Sequence, residues 1–285
     1  MIKLNLINYH LFLYHLLFQI SVTKRGTTMT QDSFQHKPLS EKDLNTIIEQ
    51  AKEFFRNEIA PSHVRNTKKL KRLKEFNLNP FLDKYKASFL TGNDDPLSIA
   101  KALIYPRVLG TSINTTFGNK LQKFCSTVLG NFASTTSGID IEFIDKLDGR
   151  RKYCQVKAGP NTINKDDVET IKNHFASVKN LARTNNLNIG FNDLVVGVLY
   201  GTPEELSSHY KKINEEYPVI IGQEFWHRLT GIENFYQRLT DAIGDVATEF
   251  DSSKLIEEVI EALAKEIEET LKSENQNVKK TDEGK

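Results

Sequence analysis

GIDIEFI (Gly138–Ile144), DKLDGR (Asp145–Arg150) and KYCQVKA (Lys152–Ala158) are the pieces whose reading decides the fold. The first and third alternate apolar with polar residues, the period of a strand half-covered by a core, and the middle piece carries an Asp–Gly turn signal. The stretch therefore predicts a β-hairpin. Side chains two apart on a strand share a face, so Asp140 and Glu142 point one way on the first strand, and Gln155 and Lys157 do so on the second. A turn centred on Asp148–Gly149 sets Asp140 opposite Lys157 and Glu142 opposite Gln155. Carboxylate, amide and ammonium then converge on one surface.

Outward from the hairpin the period changes to that of helices. Phe117–Leu129 carries Phe117, Leu121, Phe124 and Val128 on one stripe, with Gly130 as its stop. After the hairpin, Asn164 caps a helix that opens on Asp166 and Asp167 and bears Val168, Ile171, Phe175, Val178 and Leu181. DLVVGVLY (Asp193–Tyr200) is almost wholly apolar, as in a central strand covered on both faces, and Val219–Ile221 is a further strand. Thr202-Pro203-Glu204-Glu205 opens a short helix, and Gln223–Leu229 and Phe235–Ile243 are helical pieces. Towards the amino terminus, Ser40 with Asp43 begins a helix that Pro61 ends, and Leu97–Leu109 is helical up to Pro106 and Gly110. Ser252–Leu271 is a long amphipathic helix. The fold class is α/β or α+β: one mixed central sheet flanked by helices.

Bulk composition fits an ordinary folded protein: 285 residues, 26% charged, 39% hydrophobic, net charge +1. Two cysteines, Cys125 and Cys154, are too few for a disulfide framework and lack zinc-site spacing, which suits a reducing, cytoplasmic setting. Neither HxH nor HExxH occurs, nor a GxxxxGK[ST] loop, so histidine–zinc chemistry and ATP-driven translocation have no support. The apolar run Ile2–Val22 is interrupted by Asn5, Asn8, His10, His15 and Gln19 and lacks a cleavage site, against a spanning helix or signal peptide. Met29 opens an ordinary soluble start, so residues 1–28 are read as an upstream-extended start or disordered extension, with a membrane anchor or a buried helix as the alternatives, 29–272 as a single domain and 273–285 as a disordered tail. Arg65–Lys74 (RNTKKLKRLK) has six basic residues in ten, a solvated face or, through Lys68, Lys69, Lys71 and Arg72, a contact for phosphates.

The hairpin's polar set is what phosphodiester hydrolysis requires. A carboxylate holds a hard cation such as Mg²⁺, which polarises phosphate and lowers the pKa of water; an amide oxygen or strand carbonyl adds a neutral ligand; an ammonium stabilises developing charge. Asp140 is the candidate metal ligand, Gln155 and the Val156 carbonyl the helpers, and Lys157 the charge-stabilising group. The plainer alternative is a cross-strand ion pair between Asp140 and Lys157. Asn161 and Thr162, in the loop after the second strand, are candidates for phosphate or base-edge contact, or ordinary capping residues. Trp226 beside Phe225 is read as core.

Gly138-Ile139-Asp140, fourteen intervening residues, then Gln155-Val156-Lys157 resembles the catalytic hairpin of the PD-(D/E)XK nucleases in the D…QxK form also found in Mrr-like enzymes. With FGNKLQKFCSTVLG before it and QVKAGPNTIN, DLVVGVLYG and VIIGQEFWHRL after it, the stretch from about Asn79 to Thr230 resembles the PmeII group of type II restriction endonucleases and the related Eco-type enzymes that cut GGNCC-like sites. The resemblance implies a restriction-endonuclease-like core, Asp140 as the essential Mg²⁺ ligand, Gln155 at the place usually held by Glu or Asp, and Lys157 as the active-site lysine. It further implies cleavage of double-stranded DNA at a short palindromic site by a homodimer, in a restriction-modification system with a cognate DNA methyltransferase, and no membrane partner. Two departures matter: Gln155 is neutral, so that Glu142 is the residue available to compensate, and Phe117–Leu129 offers Asn119 and Gln122 but no acid. A Mrr-like or repair nuclease of broad or modification-dependent specificity, and a DNA-binding module without cleavage, are the competing readings.

Overall fold

A computed structural model describes residues 37–186 and 188–282. The expectations for residues 1–28 and for a start at Met29 fall outside them.

 The chain parts into two compact units. One holds Leu121–Thr240 together with the chain before Gln50, and the other holds Gln50–Lys120 with the chain from Asp241 onward.

The first unit is built on a four-stranded sheet, β1 (Ile141–Ile144), β2 (Arg151–Lys157), β3 (Leu194–Val198) and β4 (Val219–Ile221), in the spatial order β1-β2-β3-β4. The hairpin β1–β2 is antiparallel, and β3 and β4 join parallel to β2, which makes the sheet mixed, as expected. β3 is buried along its whole length, in keeping with its apolar sequence. On one face of the sheet, Val168, Ile171, Phe175 and Val178 of a long helix pack with Leu194, Val196, Val198 and Tyr210. On the other face Phe225 lies against Gly197 and Cys154: a Cβ on Gly197 would stand 2.5 Å from the Phe225 ring. A side chain at 197 would lift that ring off the sheet. Trp226 is 1% exposed and its indole N–H donates to the Leu199 carbonyl at 2.9 Å, so it is core, as read.

The second unit is helical. α1 (Glu41–Phe54) enters it, its first turn capped by Ser40, whose Oγ accepts from the Asp43 N–H at 3.2 Å and donates to its carboxylate at 2.7 Å. Pro61 does not end the helix. A π-helical turn, Phe55–Ile59, widens the backbone and α2 (Ala60–Lys69) follows with Pro61 in its first turn, where a missing N–H costs little. The same device recurs after α3 (Asp83–Thr91): α4 (Pro96–Pro106) passes through a π-helical stretch, Arg107–Ser112, into α5 (Ile113–Asn119). The helix expected over Phe117–Leu129 is therefore two, α5 and α6 (Leu121–Thr127), broken at Lys120.

In the sheet-bearing unit α7 (Lys165–Thr184) starts at the expected place, with Asn164 and Asp167 forming a reciprocal capping box, but Leu181 is about half exposed and Ala182 is buried in its stead. The Thr202 motif makes only a 3₁₀ turn, Pro203–Glu205, ahead of α8 (Ser208–Asn214). α9 (Gln223–Thr230) and α10 (Phe235–Ala247) match their predicted spans closely. α11 (Ser253–Asp282) runs on through the segment read as a disordered tail; no proline or glycine stands between Leu271 and Asp282 to stop it. Val259, Ile260, Leu263 and Ile267 of α11 form the core of the helical unit with Ile99, Ala100 and Ile104 of α4. None of the described helices is long and apolar enough to cross a membrane.

Candidate active site

The hairpin register differs from the expected one by two residues. Ile141 pairs with Cys154 and Glu142 with Tyr153, which puts Asp140 across from Gln155 and carries Lys157 past the end of β1. The reason is the loop. Asp145 accepts from the Leu147 N–H at 2.9 Å through its side chain and from the Gly149 N–H at 2.8 Å through its carbonyl. This local turn draws Asp145–Arg150 into a six-residue loop between Ile144 and Arg151, centred one residue earlier than an Asp148–Gly149 turn. Glu142 therefore does not face Gln155.

Asp140 is exposed at the start of β1. Its backbone N–H donates to the Cys154 carbonyl at 3.0 Å, and one carboxylate oxygen, Oδ2, accepts from the Val156 N–H at 2.7 Å. Within a strand the N–H and C=O of one residue point to the same side, so the Val156 carbonyl is also directed toward the Asp140 side of β2. Lys157, half-buried at the end of β2, forms no ion pair with any carboxylate among the described residues, and the Asp140–Lys157 pair of the plainer reading is not made. Both groups nonetheless act on one neighbour. The Cys125 thiol of α6 is pushed up to about 12, chiefly by burial, then by the Asp140 carboxylate, with the Lys157 ammonium opposing. Carboxylate and ammonium thus flank the same spot without neutralising each other.

Gln155 is 5% exposed, and its amide is held rather than loose. Nε2 lies 2.6 Å from the Gly138 carbonyl and 2.8 Å from Nδ1 of His174 on α7. Glu142 is occupied elsewhere: it accepts from Ser134 Oγ at 2.6 Å and Thr136 Oγ1 at 2.9 Å, and pairs with Arg151 at 3.2 Å. The compensating acid expected for the neutral Gln155 is therefore committed to structure. No group of three or more His, Cys, Asp or Glu side chains that could enclose a metal occurs among the described residues. The oxygens that could serve a hard cation are the second Asp140 oxygen, the Val156 carbonyl and the Gln155 amide oxygen. That set suits Mg²⁺, which binds through one or two carboxylates and keeps several waters.

The loop after β2 is rigid. Thr162 Oγ1 donates to the Gly159 carbonyl at 2.8 Å and sits 3.1 Å from the Tyr210 hydroxyl, which itself donates to the Gly159 carbonyl at 3.0 Å; burial pushes the Tyr210 phenol up to about 12. Thr162 is thus spent on the turn, while Asn161 stays exposed. Two residues at the site have no counterpart in the sequence reading. His174 interrupts the apolar stripe of α7 one turn after Ile171, and a polar residue on a buried stripe is the signal that marks it. Tyr200, after β3, is 43% exposed and lies across Gly159, where a Cβ would meet its ring at 2.4 Å. The basic residues sit in the helical unit: Lys68, Lys69 and Arg72 are exposed, and Lys71 lies 3.6 Å from Glu258.

At the opposite end of β2 charges are paired and buried. Lys152, 3% exposed, donates to Asp148 at 2.5 Å and to the Asn192 carbonyl at 3.0 Å, with Asp193 at 3.8 Å and Asp145 at 3.9 Å. Arg228 of α9 reaches Asp145 at 2.9 Å and Arg150 forks onto Asp193, one arm at 2.6 Å. For Asp193 burial works against the charged form, but the Arg150 fork, the Gly190 N–H and Lys152 together hold its carboxyl below the usual range.

A family model described as Type II restriction endonuclease EcoO109I matches residues 44–251, more than half of the chain. No curated protein matches it.

Proposed function

The chain belongs to the type II restriction endonuclease EcoO109I family, which acts on DNA, and on that premise we propose that the Asp140–Gln155–Lys157 hairpin is its Mg²⁺-dependent phosphodiesterase site, of the PD-(D/E)XK kind and nearest the PmeII group. One observation supports the assignment: Asp140 and Lys157, on the two arms of the hairpin, both act on the Cys125 thiol yet form no ion pair with each other, which leaves both charges available for chemistry. Asp140 would hold the cation with the Val156 carbonyl and Gln155. When bound, Mg²⁺ supplies positive charge that polarises the scissile phosphate and eases deprotonation of water. Lys157 contributes the ammonium that steadies negative charge developing on the phosphate. The Val156 N–H fixes Oδ2 of Asp140, which leaves the other oxygen as its reactive end.

On the same reading the substrate is double-stranded DNA with a short palindromic, GGNCC-like site. Two-fold symmetry of such a site matches a homodimer with one active site per strand. Residues 29–272 form the nuclease, the exposed Lys68, Lys69 and Arg72 meet phosphates, and Asn161 reaches the DNA from the loop after β2. Both cysteines are free and buried, in keeping with work in the cytoplasm beside a methyltransferase that protects the same site. Digestion of a plasmid of known sequence, with and without Mg²⁺, tests this. A discrete fragment ladder that needs Mg²⁺ and disappears in Asp140→Ala, with DNA binding retained, is the expected result. A smear would favour a nuclease of broad specificity, and unchanged cutting by Asp140→Ala would refute the site.

A further inference from the structure

His174 belongs to no part of the D…QxK pattern, yet it touches two of the residues that shape it. Its ring packs on Gly138, where φ is +80° and a Cβ would stand 2.7 Å from the ring's Cγ. Its Nδ1 faces Gln155 Nε2 at 2.8 Å, and the same Nε2 faces the Gly138 carbonyl at 2.6 Å. A carbonyl can only accept, so the end of the amide that meets Gly138 must be the NH₂. The second proton of that NH₂ points at His174 Nδ1, which must therefore carry no proton; the ring's hydrogen is on Nε2. Both protons of the amide are then used and Oε1 is left as its open, accepting end. Gly138 is two residues before Asp140, so the same ring also backs the backbone that leads into the candidate metal ligand.

We propose that His174 is a positioning residue for DNA cleavage: its Nδ1, together with the Gly138 carbonyl, fixes the Gln155 amide so that Oε1 serves the site as a neutral ligand. The inference rests on the nuclease reading above. It also explains how a glutamine can stand where the common pattern has an acid: the pocket around position 155 offers two acceptors and so requires a donor. A phenylalanine at 174 keeps the ring against Gly138 but deletes the acceptor. An asparagine can return an acceptor, Oδ1, at the branch point where Nδ1 stood.

The test compares the full chain with His174→Phe and His174→Asn in single-turnover cleavage and in DNA binding without metal, and adds long-range ¹H–¹⁵N spectra of the metal-free wild type. Groups that orient a metal ligand are typically worth ~10–100-fold in activity. His174→Phe should therefore cut slower by about that factor, with DNA affinity unchanged, and His174→Asn should recover most of the rate. The spectra should place the ring proton on Nε2 and show a slowly exchanging Gln155 amide. Wild-type cutting by His174→Phe, equal losses in the two variants, or a ring proton on Nδ1 would each overturn the proposal. A wild type that cuts no DNA would refute the nuclease reading instead, and the spectra, which need neither variant nor metal, would still decide the His174–Gln155 contact.

Discussion

Restoring an acid at position 155 looks like a repair, since Gln155→Glu would give the hairpin the commoner D…ExK pattern. The structure predicts damage. Nε2 of Gln155 donates to the Gly138 carbonyl at 2.6 Å and to His174 Nδ1 at 2.8 Å, and a glutamate would set an oxygen against both. The hydrogen bond to the Gly138 carbonyl, about 1 kcal/mol net, is lost. His174 keeps its own bond only by moving its ring proton to Nδ1, and a carboxylate that is 5% exposed against a carbonyl oxygen is a poorly compensated buried charge, which brings the cost to about 3–5 kcal/mol. The assay is urea unfolding at pH 7, read as a fall in the midpoint at constant slope. Burial and the facing Gly138 carbonyl oxygen raise the folded-state pKa of that carboxyl above its unfolded value, so its protonated form is favoured and stability falls as pH rises through the carboxyl range. The gap from wild type should accordingly narrow towards pH 4. Cleavage should drop as well. A Gln155→Glu variant as stable as the wild type at pH 7, or a faster nuclease, would refute the reasoning about which atoms the pocket around 155 accepts.

Three further outcomes follow from other parts of the first unit. Lys152→Met removes the ammonium shared by Asp145, Asp148 and Asp193, and should destabilise by about 3–5 kcal/mol in urea titration; a loss below about 1 kcal/mol would mean that Arg228 and Arg150 suffice for those carboxylates. Asp193, depressed in the fold, adds stability that is fully present above the ordinary aspartate pKa and is lost as pH falls through its lower folded value. Arg150→Ala should therefore flatten the acid limb of the stability curve below about pH 4, and an unchanged limb would count against the fork. Cys125 and Cys154, buried and with both thiols pushed up by burial, should stay unreactive toward a disulfide reagent at pH 8 until urea unfolds the chain. Rapid labelling of the native protein would contradict this packing.

Local signals read truest in the sequence. The Ser40 cap, the Asn164–Asp167 box, the alternating hairpin strands and the wholly apolar β3 depend on neighbours a few residues away, and each stands where the sequence put it. Proline misled because its effect depends on what backbone precedes it: a π-helical turn lets the helix pass Pro61. The hairpin register slipped by two because the Asp145 side chain, rather than the Asp–Gly pair, organises the loop. That Asp140 and Gln155 lie on facing arms of one hairpin was legible through residue type and period. What holds Gln155 was not, since His174 comes from a helix nineteen residues on and meets the amide only once the sheet has formed. The fate of Glu142 was hidden for a similar reason: Ser134 and Thr136, which occupy it, precede the strand in a segment with no regular period.

The two lysines of β2 sit in opposite circumstances: Lys152 is 3% exposed among carboxylates, whereas Lys157 is ion-paired with none among the described residues. On the proposed reading, reactivity and cohesion are assigned to different ends of a single strand, five residues apart. On that reading, drift at the Asp140–Lys157 end silences the chemistry while the fold endures. Drift at the Lys152 end weakens the scaffold itself.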